Sequence, residues 1–121
     1  HLAFDIGMPV AVMDEYVARC KAQLSAQVPG CEAVFYGHIG DGNIHIVTYV
    51  PGMNPQPKDA VEEVVYGLVQ EYGGTVSAEH GIGTFKRRWL GHARSPEQIA
   101  LMRTLKRAMD PKNILNPGKV I

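Results

Sequence analysis

Cysteine is scarce in this chain, and so are the features that would send it to a membrane or a polyanion. Cys20 and Cys31 are the only two among 121 residues, too few for a disulfide framework and without paired metal spacing, so both read as reduced thiols. No run of about 18 apolar residues is present to span a bilayer, and no charged-then-apolar segment opens the chain as a secretion signal would. Excess charge of one sign is missing too. Lys plus Arg and Asp plus Glu both total 12, which leaves no global field to attract nucleic acid or an anionic membrane. An initiator methionine is absent and the first residues already read as a strand, so the chain is expected to be a piece of something longer. What remains is the expectation of a soluble, cytoplasmic, single domain; at this length a chain buries roughly two-thirds of its unfolded surface and holds a core without staples.

Glycine and proline, by contrast, are plentiful and punctuate the chain. Leu2, Phe4 and Ile6 alternate as a half-buried strand does, and Gly7 and Pro9 end it. Met13, Val17, Cys20 and Leu24 recur at helical spacing until Pro29-Gly30. Residues 33–39 and 43–50, rich in Val, Ile, Tyr and Phe, predict a hairpin. Pro57 suits the first turn of a second helix, with Val61, Val64, Val65, Leu68 and Tyr72 as its apolar face and Gly73-Gly74 as its stop. A short strand over 75–77 follows. The order βαββαβ predicts a ferredoxin-like α+β fold, an antiparallel sheet with both helices on one face.

Beyond it the sequence predicts a helical extension and a tail. Residues 84–90 read as a short helix, and Ser95-Pro96-Glu97-Gln98 as the capping-box start of a longer one. Ile99, Met102, Leu105 and Met109 fall on one face of that helix, and Asp110-Pro111 stops it. The last ten residues are too apolar to be idle, so Ile114 and Leu115 are expected to dock on the domain or on a neighbour. Lys86-Arg87-Arg88 is the only basic run and reads first as a solvated helix face, and second, beside the Glu79-His80 loop, as a contact for an anionic substrate or cofactor. The five methionines read as core filler.

Two segments carry chemistry. In Tyr36-Gly37-His38-Ile39-Gly40-Asp41-Gly42-Asn43-Ile44-His45, two histidines stand symmetrically about Asp41-Gly42. A two-residue hairpin there would set His38 opposite His45, with Cβ atoms about 4.5–5.5 Å apart. Two such imidazoles can share a metal ion, at about 2.0–2.1 Å per nitrogen for zinc. In Ser77-Ala78-Glu79-His80-Gly81-Ile82-Gly83 a carboxylate and an imidazole are adjacent. Glu79 can supply a third ligand, leaving a fourth position open as in catalytic zinc sites, with His80 free as a base. Each feature alone has an ordinary explanation: histidines beside an Asp-Gly turn are common strand residues, and Glu-His pairs are common on solvated loops. The combination is what points to a site. Neither glycine cluster is a dinucleotide fingerprint, since Gly40 and Gly42 sit in a hairpin and Gly81-Ile82-Gly83 lacks the third glycine.

Three segments, His38 to His45, Ser77 to Gly83, and Asp110-Pro-Lys-Asn-Ile-Leu-Asn-Pro-Gly-Lys119, together resemble the C-terminal domain of FAD-linked oxidases. That group, within the vanillyl-alcohol-oxidase-like flavoproteins, includes D-lactate dehydrogenase, the glycolate oxidase flavin subunit and D-2-hydroxyglutarate dehydrogenase. The resemblance spans residues 36–119, in order. It implies a substrate domain paired with its own N-terminal FAD-binding domain, which would precede His1. It matches His38, His45 and Glu79 to ligands of a divalent metal, with zinc the first choice for imidazole. It matches His80 to the residue that takes the proton from the substrate C2 hydroxyl, and Asn116 to a residue near the flavin. The reaction implied is oxidation of a small 2-hydroxy acid to a 2-keto acid with hydride transfer to FAD, and the isolated chain would be inactive.

Val47 stands where hydroxyglutarate-type enzymes carry an asparagine, and Ala3 near where they place a lysine, which argues against hydroxyglutarate as substrate. Two other readings stay open: a stand-alone metal-binding or subunit-interaction module without redox activity, and an oxidase that uses no metal, with His38 and His45 on substrate or flavin. Loss of a neighbouring domain would also expose interface through which copies self-associate as a homo-oligomer.

Overall fold

The computed structural model describes residues 1–121. The alternating segment at the start forms β1 (Leu2–Gly7), and the chain continues through α1 (Met13–Gln27), β2 (Glu32–His38), β3 (Asn43–Tyr49), α2 (Lys58–Glu71) and α3 (Pro96–Met109). The three strands pair antiparallel in the order β1-β3-β2. On the free side of β1, Thr75 and Gly7 exchange two main-chain hydrogen bonds, 3.0 and 2.8 Å. That position is the one the ferredoxin-like order reserves for a fourth strand, so the expected α+β fold stands, with the strand read over 75–77 reduced to a single bridge. The reason lies two residues on. The Ser77 hydroxyl and the next three amides bond to the Asp5 carboxylate instead of the β1 main chain.

Period two sorts the sheet into two faces. Phe4, Ile6, Ile44 and Ile46 meet α1 and α2 in a cluster of 19 buried residues. Each large side chain fully buried there contributes about 1.5–3 kcal/mol. Tyr16 completes the α1 stripe where Val17 was expected, because its ring is fully buried while its hydroxyl donates to the Val65 carbonyl, 3.1 Å, tying α1 to α2. Val17 is only partly buried. The other sheet face carries Ala3, Asp5, His45, Val47, Val34, Tyr36 and His38, and no helix covers it.

After α2 the expected helix at 84–90 is replaced by a 3-10 segment, Arg87–His92. It is pinned by Glu62 of α2, which is buried and accepts from the Trp89 indole N–H at 3.1 Å and from Arg88. Only part of the basic run turns inward: Lys86 reaches Asp5, while Arg87 and Arg88 stay exposed, Arg88 pairing with the exposed Asp59. The capping box of α3 forms as read, with Ser95 and Gln98 exchanging bonds. Its Leu101, Leu105 and Met109 remain exposed, however. The tail returns to the domain through its main chain, where the Val120 N–H donates to the Gly83 carbonyl at 2.8 Å. Ile114 and Leu115, expected to dock, are 71% and 59% exposed and touch no core. No helix is long and apolar enough to cross a membrane.

Candidate metal and proton-transfer site

The site is built on the uncovered face of the sheet. Strand register sets Asp5, His45 and Tyr36 in one row across β1, β3 and β2. The hairpin differs from the sequence expectation by two residues: His38 pairs with Asn43, and Tyr36, not His38, faces His45. The connection is not a two-residue turn but Ile39–Asp41 in a 3-10 turn, closed by Gly42 at φ 69°. Gly42 is held there by the Met8 N–H, which donates to its carbonyl at 2.7 Å. A slip of two keeps every side chain on its face. His38 and His45 therefore still meet, as diagonal neighbours with ring centroids 5.6 Å apart, edge to face. Tyr36 lies against the His45 ring at 5.2 Å.

The second segment folds over this row. Asp5 is fully buried despite lying on the open face, because the 77–80 loop and Lys86 close over it. Its Oδ2 accepts from the amides of Ala78 (3.1 Å), Glu79 (2.9 Å) and His80 (2.8 Å) and from the Ser77 hydroxyl (3.1 Å). Successive N–H groups converging on one oxygen form an anion-binding nest. Burial alone would raise the Asp5 carboxyl, but the His80 and Glu79 amides, the Ser77 hydroxyl and the Lys86 charge hold it below the ordinary carboxylate value. Burial in turn lowers the Lys86 ammonium against the pull of Asp5.

The loop delivers both Glu79 and His80 to the His45 ring. Glu79 Oε2 is 3.5 Å from His45 Nε2, and the His80 ring stacks on the His45 ring at 5.9 Å. Ligand atoms of His38, His45 and Glu79 lie within 4.8 Å of one another, and so do those of Asp5, His45 and His80. The first set fits a metal better. Its three donors are open to solvent on one side, whereas the Asp5 oxygen that faces the loop is already filled by four donors. Two ligands of a tetrahedral zinc stand about 3.4 Å apart, close to the His45–Glu79 separation, so these residues fit the ion with small side-chain adjustment. A cleft of about 330 Å³ opens beside His80, walled by Phe4, Lys58, Glu62, Ile82, Phe85 and Lys86.

All four residues expected at the hairpin and loop, His38, His45, Glu79 and His80, are thus brought together. Asn116 is not: it lies in the exposed tail in a left-handed conformation, φ 46°. Sequence reasoning missed Asp5, Tyr36 and Lys86. The only signal for Asp5 was an acid in the middle of an otherwise apolar strand.

Fold and site define a class: a small α+β domain with a histidine–carboxylate cluster on the uncovered face of its sheet. The chain belongs to the family described as FAD linked oxidases, C-terminal domain, whose model matches residues 1–120. Among its relatives, D-2-hydroxyglutarate dehydrogenase of Xanthomonas citri pv. viticola is 39% identical over 96% of this chain and 26% of the relative. The mitochondrial D-2-hydroxyglutarate dehydrogenase of Rattus norvegicus is 36% identical over 98% of this chain and 22% of the relative. A mitochondrial protein of Schizosaccharomyces pombe, provisionally named a D-lactate dehydrogenase, is 33% identical over 98% of this chain and 24% of its own length. The chain thus spans about a quarter of the length of the curated relatives it matches.

Proposed function

We propose that this chain is the substrate- and metal-binding part of an FAD-dependent dehydrogenase of 2-hydroxy acids, of the D-lactate or glycolate type. The observation that carries the reading is the convergence of His38, His45 and Glu79 beside His80. These three residues would hold a divalent cation, with zinc the first choice for two imidazoles and manganese, iron or cobalt left open by the carboxylate. When bound, such a cation supplies Lewis acidity that lowers the pKa of a coordinated hydroxyl, and FAD supplies the acceptor for a hydride.

His80 accepts the proton that leaves the C2 hydroxyl as the C2 hydride departs, giving the 2-keto acid. Imidazole is the side chain that exchanges protons near neutral pH. His80 Nδ1 lies toward the buried Asp5, 4.0 Å from Oδ2, which favours the other nitrogen, Nε2, as the one that takes that proton. Tyr36, packed on the His45 ring, restricts how that ring turns.

Ala3, Val47 and Val34 form the next row on the same face. An apolar row there favours a substrate with a small or apolar group at C3 over one with a second carboxylate, despite the names of the relatives. FAD is held mainly by a separate N-terminal domain of the intact protein, because Gly40–Gly42 join strand to strand and form no phosphate cradle at a helix start. The tail's return to Gly83, three residues past His80, supports placing Asn116 toward the flavin. Two free thiols, Cys20 and Cys31, favour the cytoplasm.

The test is oxidation of D-lactate, glycolate and D-2-hydroxyglutarate by the full-length flavoprotein with an artificial electron acceptor, wild type against His80→Asn. Activity on D-lactate or glycolate, lost in His80→Asn with FAD and metal content intact, is the expected result. An active His80→Asn enzyme, or a wild type that oxidises neither D-lactate nor glycolate, sinks the reading.

A further inference from the structure

We propose that Asp5 is the positioning residue of this site, its buried carboxylate holding the 77–80 loop through one oxygen and the His45 ring through the other. The inference rests on the reading of His38, His45 and Glu79 as a cation-binding set, and it says what orients them.

The two carboxylate oxygens divide the work. Oδ2 takes three consecutive amides and the Ser77 hydroxyl, and the Lys86 ammonium stands 3.7 Å away. With the amides of residues 78–80 turned toward one point, the loop brings the Glu79 carboxylate and the His80 ring to His45. Oδ1 is buried and has no hydrogen-bond partner. The nearest nitrogen recorded to it is His45 Nδ1, 4.0 Å away across the paired strands. His45 presents its other nitrogen, Nε2, to Glu79.

This is the arrangement a metal-binding histidine needs. A neutral imidazole carries its hydrogen on one nitrogen only, and the bond made by that hydrogen selects the tautomer. A carboxylate oxygen facing Nδ1 can only accept, so Nδ1 keeps the hydrogen and Nε2 keeps a lone pair directed at Glu79. Slight closure of the 4.0 Å gap fills the vacant Oδ1 lone pair at the same time. Strand pairing delivers the acceptor, since Asp5 and His45 are register partners.

An amide at position 5 reverses the logic. In Asp5→Asn the carbonyl oxygen stays with the loop amides, and the NH2 group turns to His45. Nδ1 must then accept, the hydrogen moves to Nε2, and the lone pair needed by the metal is gone. Loss of such an outer hydrogen-bond partner weakens metal binding about 10–100-fold.

The experiment uses the chain His1–Ile121, whose own core joins the sheet to α1 and α2. Nitrogen-15 shifts of histidine report the His45 tautomer without metal, and zinc titration reports affinity, in wild type, Asp5→Asn, and Asp5→Asn with Lys86→Met. The double change removes the buried Asp5 charge together with its Lys86 partner and serves if the single variant unfolds. The expected result is an Nδ1–H tautomer in wild type, an Nε2–H tautomer in the folded variant, and zinc affinity lower by about 10–100-fold. An Nε2–H tautomer in wild type overturns the proposal whatever the variants do. So does a folded variant with the wild-type tautomer and unchanged affinity. If wild type binds no zinc while the tautomer still switches with Asp5, the metal reading fails and the positioning role of Asp5 stands.

Discussion

His38 and His45 share the open face of the sheet without facing each other. His45 is the register partner of Tyr36, His38 sits one row further toward the turn, and their rings meet edge to face at 5.6 Å. The offset has a chemical use. The diagonal pair keeps the ligand atoms of both histidines within 4.8 Å of the Glu79 carboxylate, which stands 3.5 Å from His45.

Removing one donor tests that geometry. His38 and Glu79 are both exposed, so His38→Ala and Glu79→Ala are expected to change folding stability by no more than about 0.5 kcal/mol. Zinc affinity should fall in both by more than the roughly 100-fold that outer hydrogen-bond partners control. Calorimetric titration beside thermal melting separates the two effects. Equal zinc affinity in wild type and either variant would show that the residue is not a ligand.

Gly37, between Tyr36 and His38, keeps the offset. Its φ is 150°, and a Cβ there would lie 2.3 Å from the Asn43 carbonyl oxygen. Gly37→Ala therefore must strain or break the β2–β3 ladder where the two histidines sit. We expect a loss of about 1–3 kcal/mol in urea unfolding, together with weaker zinc binding because His38 moves. A fully stable Gly37→Ala variant would mean that the ladder adjusts freely there.

The larger elements were legible because they are driven by period. Leu2, Phe4 and Ile6 alternate, α2 shows its stripe from Val61 to Leu68, and Ser95 with Gln98 announces α3 before any tertiary contact is made. The hairpin register was not legible. A slip of two leaves the hydrophobic pattern unchanged, and the choice is made by Met8 and Gly42, whose hydrogen bond joins segments far apart in the chain. Asp5 was invisible for a related reason. Alternation marks it as outward, hence solvated, and only the return of residues 77–86 over β1 buries it. Lys86 carries the same lesson, since a basic run read along the chain says nothing of the buried acid it meets.

Glu62 is the corresponding buried acid on the helix side. It is held by the Trp89 indole at 3.1 Å, by Arg88 and by Lys58 at 3.6 Å. Glu62→Ala leaves the indole N–H without an acceptor and loosens segment 87–92. Because Arg88 is half exposed and recovers water, the expected cost is that of a lost charged hydrogen bond, about 1.5–3 kcal/mol. Trp89 fluorescence should shift to the red in the same variant. An unshifted emission with unchanged stability would show that α2 does not depend on this contact.

Asp110 ties the tail to α3 and sets its dependence on pH. Its carboxylate accepts from Lys106 and from the amides of Ile114 (3.0 Å) and Leu115 (2.9 Å). The Lys106 bond first, and those amides after it, hold the Asp110 carboxyl below the ordinary value in spite of burial. A depressed folded value means that the released tail takes up a proton more readily than the docked one. The ordering it provides is therefore complete above the ordinary carboxylate pKa of about 3.9, fades below it, and is lost only as pH falls through the depressed folded value. Hydrogen exchange at Ile114 and Leu115 should show full protection from neutral pH down to that range and a progressive loss beneath it. Asp110→Asn should lose the Lys106 ion pair and show weak protection at every pH. Protection that persists in Asp110→Asn would mean that the tail is held by its Val120–Gly83 bond instead.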